Sequence, residues 1–269
     1  MKQLPLVSVI IPCYNAGAFL RETIGSVEAY PDKSVYEIVI VDDGTTDAPT
    51  LRVLDELKAQ GYAVIHQPNQ GPAAARNTGI RFAKGKYLLL LDSDNKIRPA
   101  YIDAGVTIFD KHPDVGVVHG NACFFGTGGV GGFQPRAFDL MAMLAENYID
   151  NCAVIRKAVW EDLGGFDENR ILVGYEDWDF WIRVGTSQWK FHYVNQTLFD
   201  YRLREDSVLA QASRPERYQA MQTYLFTKHL PLMRENYQKL HLHHRFYLND
   251  QQRPLRSFLK YLRKRLNKY

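Results

Sequence analysis

The sequence predicts an α/β fold: a doubly wound, mostly parallel sheet flanked by helices, followed by a helical C-terminal extension. Three observations predict it. Short apolar runs alternate with amphipathic stretches through the first 120 residues. The strands lack polar alternation, the pattern of strands buried on both faces under helices. From Pro215 onward strand signals disappear.

Leu6–Ile11 is a β-branched run, and Ala18–Ala29 follows as a helix. Tyr36–Val41 (strand), Thr50–Gln60 (helix), Tyr62–His66 (strand) and Ala73–Ala83 (helix) continue the rhythm. Lys86–Leu91 is the most apolar strand, Pro99–Lys111 a helix with Pro in its first turn, and Val115–His119 another strand. Beyond residue 120 the rhythm breaks. Gly126–Gly132 is glycine-rich, Asp139–Asn147 helical, Asn151–Arg156 a strand, and Ala158–Leu163 a helix stopped by Gly164-Gly165. Tyr175–Val184 is an aromatic-rich helix, and Trp189–Val194 and Thr197–Arg202 read as two strands. From Pro215 the tail is helical, with breaks at Pro231 and Pro254. The expected organisation is one domain over residues 1–205, split into halves 1–120 and 121–205, with an extension over 206–269.

Composition bounds the function. The 269 residues are 46% hydrophobic and 23% charged, ordinary for a globular chain and unlike collagen, coiled coil or a disordered polymer. Lys+Arg 33 against Asp+Glu 30 gives +3, too small a balance to predict nucleic-acid binding. The three cysteines, Cys13, Cys123 and Cys152, have no zinc-type spacing and read as reduced thiols, which predicts a cytoplasmic protein. The apolar N-terminal run between Pro5 and Pro12 reads as a buried strand rather than a signal peptide. No run of about 18 apolar residues is present.

Ligands of open parallel sheets bind beyond the carboxyl ends of the strands. Those ends carry Pro12-Cys13-Tyr14-Asn15, Asp42-Asp43-Gly44, Asn69-Gln70-Gly71 leading to Arg76, and Asp92-Ser93-Asp94. Polar groups so placed suit a diphosphate held by a cation. Two carboxylates at a strand-to-loop turn are hard oxygen ligands, matched to Mn²⁺ or Mg²⁺.

Six motifs stand in order: Val7-Ser8-Val9-Ile10-Ile11-Pro12-x-Tyr14-Asn15, Glu37-Ile38-Val39-Ile40-Val41-Asp42-Asp43-Gly44, Asn69-x-Gly71-x-x-x-Ala75-Arg76-Asn77-x-Gly79, Asp92-x-Asp94, Gly164-Gly165-Phe166-Asp167-Glu168, and Glu176-Asp177-x-Asp179-Phe180-Trp181-x-Arg183. Together they closely resemble the family 2 glycosyltransferases of GT-A fold, over roughly residues 5–205. The resemblance implies a nucleotide-sugar donor, UDP-sugar favoured, and inversion at the anomeric carbon. By position, Pro12, Tyr14, Asn15 and Asp43 would hold the nucleobase and Asp42 would support the turn. Arg76 would lie near the nucleotide, and Asp92 would face ribose and metal, with Ser93 in the same donor-binding turn. Asp94 would bind the metal, Asp177 would be the catalytic base and Glu176 its fallback. Gly164–Glu168 would shape the acceptor side. The acceptor would be a hydroxyl of a glycan or lipid-linked sugar in polysaccharide or cell-envelope glycan synthesis. Two positions depart from the family pattern. Asn95 stands where many relatives carry a further acid, and Arg204 where many carry His. Arginine cannot ligate a metal but can grip phosphate in a fork, so Arg204 is expected on the diphosphate.

Other signals are weaker. Gly126-x-Gly128-x-x-Gly131 spells a dinucleotide fingerprint without the following helix and reads as a loop at the acceptor side. His241-x-His243-His244 reads as a polar helix face. Residues 253–269 carry seven basic and no acidic residues, with Leu255, Phe258, Leu259, Leu262 and Leu266 at helical spacing. That pattern fits peripheral contact with an anionic membrane, on the inner face of the cell membrane, as well as packing on the catalytic domain. A sugar nucleotidyltransferase and a non-catalytic sugar- or partner-binding module of the same fold are the alternatives. The first lacks a Gly-rich Arg/Lys loop after strand one; Asn95 and Arg204 keep the second open.

Overall fold

Eight strands form one sheet in the order β3-β2-β1-β4-β7-β6-β8-β5. The computed structural model describes residues 4–127, 131–132, 135–204, 207–237 and 241. The elements are β1 (Val7–Cys13), α1 (Gly17–Glu28), β2 (Tyr36–Asp43), α2 (Ala48–Ala59), β3 (Ala63–Gln67), α3 (Pro72–Phe82), β4 (Tyr87–Leu90), β5 (Lys96–Ile97), α4 (Ala100–Lys111), β6 (Val115–Gly126), α5 (Leu140–Ala145), β7 (Val154–Arg156), α6 (Lys157–Asp162), α7 (Glu176–Gly185), β8 (Lys190–Leu203), α8 (Val208–Ala212) and α9 (Pro215–Lys228).

β1 pairs in parallel with β2 and β4, and β2 with β3. All four residues of β4 are buried, as are six of seven in β1, which is why these strands read as unbroken apolar runs. The sheet is mostly parallel, as the sequence predicts, with two reversals. β7 runs antiparallel between β4 and β6, and β5 runs antiparallel to β8 at the edge.

Local chemistry fixes the helix starts. Asp47 caps α2 by accepting from Thr50 N–H at 2.8 Å, and Pro49 occupies its first turn. Asp139 caps α5 by accepting from Ala142 N–H at 2.8 Å. Gly44 has φ +73°, and a Cβ there would lie 2.6 Å from Asn69 N, so the turn after β2 requires glycine.

Two strand expectations are corrected. Trp189–Val194 and Thr197–Arg202 are one strand, β8, with Asn195 and Gln196 displaced as a register shift opposite Gly120 and Asn121. The strand at Val115–His119 continues to Gly126, because its extension is supported by pairing with β8 rather than by its own apolar pattern. The two-residue β5 is too short to leave any periodicity.

The chain divides into two compact units, Met1–Gln222 and Thr223–Tyr269, so the division falls inside α9. In the second unit helix resumes after a turn at His229 and reaches Tyr237, with Pro231 in its first turn, where its missing N–H costs nothing. Part of the Gly126–Gly132 loop, His243, His244 and the basic segment 253–269 lie outside the described residues. Among the described residues no helix is long and apolar enough to cross a membrane.

Candidate active site

Every motif residue after β1, β2 and β4 sits where those strands end. The Pro12–Asn15 turn leaves β1, with Pro12 half-buried and Tyr14 and Asn15 exposed. Asn15 adopts φ +51°, and its Oδ1 accepts from the N–H of Thr46 at 2.8 Å and of Asp47 at 3.2 Å. The first and second strand ends are thereby tied together. Asp42 accepts from Thr45 N–H at 2.9 Å and pairs with His66 Nδ1 at 2.9 Å. Asp43 uses both oxygens on protein donors: Oδ1 takes Gln67 Nε2 at 2.7 Å and Gln70 N–H at 2.9 Å, and Oδ2 takes Gly71 N–H at 2.8 Å. This carboxylate therefore builds the entry to α3, the helix that carries Arg76.

Arg76 is buried, and its position is more central than the sequence suggests. Its guanidinium reaches Asp92 at 2.6 Å on one side and forms an ion pair with Glu176 on the other. Asn151, its amide oxygen turned toward the guanidinium, accepts from Nε at 3.0 Å and Nη2 at 3.1 Å. Burial works against the charge, but the facing Asp92 and Glu176 carboxylates more than offset it and hold Arg76 protonated. One side chain thus links the Asp92-Ser93-Asp94 turn to the first turn of α7.

That linkage separates the two acids of α7. Glu176 has one oxygen on Arg76 and the other accepting from Gly174 N–H at 2.7 Å. Asp177 accepts from Trp178 N–H at 2.8 Å and from the Asn147 side chain. Burial first, then the neighbouring Glu176 and Asp150 charges, raise the proton affinity of Asp177 well above the usual carboxylate range. Of the pair, Glu176 is the one held by Arg76 and Asp177 the one whose proton affinity is raised.

Asp94 is pushed up to about 6 by burial and then by Asp92, against the opposing pull of Arg204 and Arg202. Arg204 Nη1 lies 3.5 Å from its Oδ2. Ser93 is buried, and its carbonyl accepts from Thr23 Oγ1 at 2.9 Å. Asn95 is also buried. Its Oδ1 accepts from Arg202 N–H at 2.9 Å, so this position straps the turn to β8 rather than presenting a third carboxylate. Among the described residues no three His, Cys, Asp or Glu side chains converge closely enough to hold a metal ion by themselves. The pair Asp92 and Asp94 offers only oxygen donors, a set that suits a hard divalent cation completing its shell with phosphate and water.

Asp150 is the residue the sequence does not announce. It lies between α5 and β7 with no motif around it. Burial, then Asp92, raise it to about 7, and its charge is also felt by Asp177 and Tyr201. Its one hydrogen bond among the described residues comes from Cys152 N–H at 2.8 Å. The segment is pinned by Trp181 Nε1 donating to Ile149 O at 3.0 Å and Tyr101 OH donating to Cys152 O at 2.6 Å.

Those contacts also settle the aromatic residues. Trp178 and Trp181 are fully buried and donate to backbone carbonyls, so they belong to the core. Gly164–Glu168 is held against α3 by Asn77. Its Nδ2 donates to Phe166 O at 2.9 Å and Glu168 at 2.8 Å, and its Oδ1 accepts from Phe166 N–H at 2.9 Å and Trp160 Nε1 at 2.8 Å. Beside Arg204, a cavity of about 420 Å³ opens between the end of β8 and α8, lined by Tyr201, Leu203, Ser207, Leu209 and Ser213 among others.

Residues 8–164 match glycosyl transferase family 2, and residues 132–252 match the glycosyltransferase-like family 2. The chain is 24% identical over 226 residues to the uncharacterized glycosyltransferase MJ1057 of Methanocaldococcus jannaschii, covering 80% of this chain and 77% of that one. It is 29% identical over 215 residues (77% of this chain) to the uncharacterized protein y4gI of Sinorhizobium fredii, but spans only 23% of that protein's length. Two solved structures share the fold at 20% identity. They are S. aureus TarS 1–349 in complex with UDP-GlcNAc (TM-score 0.61, 80% of this chain and 64% of that one) and the mannosyltransferase PcManGT of Pyrobaculum calidifontis in complex with GDP-Man and Mn²⁺ (TM-score 0.60, 85% and 65%). The fold is that of GT-A glycosyltransferases, and with more than half its length matched, the chain belongs to glycosyl transferase family 2.

Proposed function

We propose that the protein is a metal-dependent inverting glycosyltransferase. It moves a sugar from a nucleotide-diphosphate donor, UDP-sugar favoured, to a hydroxyl of a glycan or lipid-linked acceptor in polysaccharide or cell-envelope glycan synthesis. The observation that carries the reading is the chain Asp92–Arg76–Glu176, which fixes the Asp-Ser-Asp turn relative to Asp177. The solved neighbours with UDP-GlcNAc and with GDP-Man and Mn²⁺ support a nucleotide-sugar donor and a divalent ion.

In this reading the nucleobase rests against Pro12, Tyr14 and Asn15 on a loop organised by Asp42 and Asp43. Asp92 and Ser93 border the ribose, and Arg204 forks the diphosphate. Asp92 and Asp94 would hold Mn²⁺ or Mg²⁺, and when bound that ion supplies positive charge to the departing diphosphate. Arg76 serves as the bridge that fixes Asp92 and occupies Glu176. The acceptor oxygen attacks the anomeric carbon opposite the leaving group, forming one C–O bond as the bond to the phosphate oxygen breaks. Its proton passes to Asp177. Burial and the adjacent carboxylates make that oxygen basic, which is what general-base catalysis asks of it.

The test is product analysis with UDP- and GDP-sugars, Mn²⁺ and glycan or polyprenyl-linked acceptors. Free nucleoside diphosphate supports the proposal. Pyrophosphate released from sugar phosphate and a nucleoside triphosphate would overturn it in favour of nucleotidyl transfer, and donor binding without turnover in favour of a binding module.

A further inference from the structure

We propose that Arg202 is a positioning residue. Stacked against Phe19 and Phe125, it sets the spacing between the Asp94 carboxylate and the Arg204 guanidinium and so lets the site tell a nucleoside diphosphate from a monophosphate. The inference rests on the donor reading above and adds the device that makes Arg204 selective.

Arg202 is tied to the Asp-Ser-Asp turn from two directions. Its backbone N–H donates to Asn95 Oδ1 at 2.9 Å, and its Nε donates to the carbonyl of Asp94 at 2.9 Å. The far side of its guanidinium forms an ion pair with Glu22 of α1. Two aromatic rings lie against the same group, Phe19 at 4.7 Å and Phe125 at 4.3 Å from ring centroid to Cζ.

The stack continues in both directions. Arg204 lies 4.8 Å from the Phe19 centroid, and Lys96 lies 4.0 Å from that of Phe125 while pairing with Glu22 at 3.0 Å. The order is therefore Arg204, Phe19, Arg202, Phe125, Lys96. Three cations are brought together that would repel one another in the open. The electron-rich ring faces and one glutamate make the assembly tolerable. Arg204 ends this ladder 3.5 Å from Asp94, and it borders the cavity beside α8. Two arginines then meet the Asp-Ser-Asp turn from one side, with the Arg204 guanidinium at the end facing Asp94. A second phosphate group reaches that guanidinium; a single phosphate one position short of it does not.

The geometry specifies the substitutions. Phe19→Leu keeps apolar volume and removes the ring face; Phe19→Tyr keeps the face. Arg202→Lys keeps the charge but loses the planar stack and the Nε donor. Titration calorimetry is run with UDP against UMP, and GDP against GMP, with Mn²⁺ present, and each variant's thermal midpoint is recorded. For wild type the diphosphate of one pair binds more tightly than its monophosphate. Phe19→Leu and Arg202→Lys are expected to weaken the diphosphate about tenfold, the size of a strong cation–π contact, while leaving the monophosphate unchanged. Phe19→Tyr restores wild-type discrimination.

Parallel weakening of both nucleotides together with a lower thermal midpoint would make the ladder a merely structural element and overturn the inference alone. Unaltered discrimination in both variants would overturn it as well. A wild type with no preference for diphosphate over monophosphate in either pair would remove the donor reading itself, and the inference with it.

Discussion

Asp43 and Asp177 are both buried carboxylates at the same edge of the sheet, yet they are used in opposite ways. Asp43 spends its two oxygens on three protein donors, two of them backbone N–H groups. Asp177 has two donors and two carboxylate neighbours, Glu176 and Asp150, that raise its proton affinity. Asp42 and Asp43, at the end of β2, build loops. Those around α7 and the segment before β7 are kept electrostatically uncomfortable, which is the state from which a proton can be taken up.

The sharpest way to break this contrast is Asp177→Asn. It is expected to lower glycosyl transfer about 10²–10⁴-fold while leaving nucleotide affinity intact, read by nucleoside diphosphate release alongside calorimetry. If Glu176→Gln proved as damaging to kcat as Asp177→Asn without loss of stability, the assignment of the base would be wrong.

Arg76→Met comes next. Removing the guanidinium strands Glu176 and leaves Asp92 unpaired, and urea unfolding should register a loss of about 3–5 kcal/mol. A loss below about 1 kcal/mol, the scale of an exposed pair, would mean that the bridge is not a buried one.

His119, on β6 away from these acids, sharpens the comparison through pH. Among the described residues neither ring nitrogen has a hydrogen-bond partner, and burial followed by the charge of His192 lowers its pKa to about 4. The unfolded chain binds a proton near pH 6.5 that the folded chain refuses until about pH 4. Stability therefore falls as pH drops through that window, by up to about 3 kcal/mol, and is fully present above it. His119→Leu should flatten the stability–pH curve between those limits; an unchanged slope there would assign the acid sensitivity elsewhere.

The smallest effect is expected for Asp43→Ala, about 1.5–3 kcal/mol from lost charge-assisted hydrogen bonds. Hydrogen exchange would locate the loosening at Gln70 and Gly71. Exchange unchanged at those amides would show that the loop stands without the carboxylate.

How much of this was readable in advance follows the same division. β1, β2 and β4 are parallel strands buried on most of their length, so their apolar runs and the polar residues at their ends mark this edge of the sheet directly. Asp150 carries no such signal. It becomes a neighbour of Asp92 and Asp177 only because β7 inserts antiparallel between β4 and β6, a pairing of segments distant along the chain. Arg76 stood out in its motif, but its bond to Glu176, 100 positions away, left no mark in the sequence. Asn95 was misleading: judged by charge it is a missing acid, while in the fold its oxygen ties two strands' ends together.

Asn77 carries a last consequence. An amide offers two donors and an oxygen with two lone pairs, and here all four are taken up by Phe166, Glu168 and Trp160. Aspartate would turn lone pairs toward the Phe166 carbonyl and the Glu168 carboxylate. Glutamine would overshoot by a methylene, and serine would fall short. The seam between the third helix and the Gly-Gly-Phe corner is thus cut to the length and the hydrogen-bonding pattern of an asparagine.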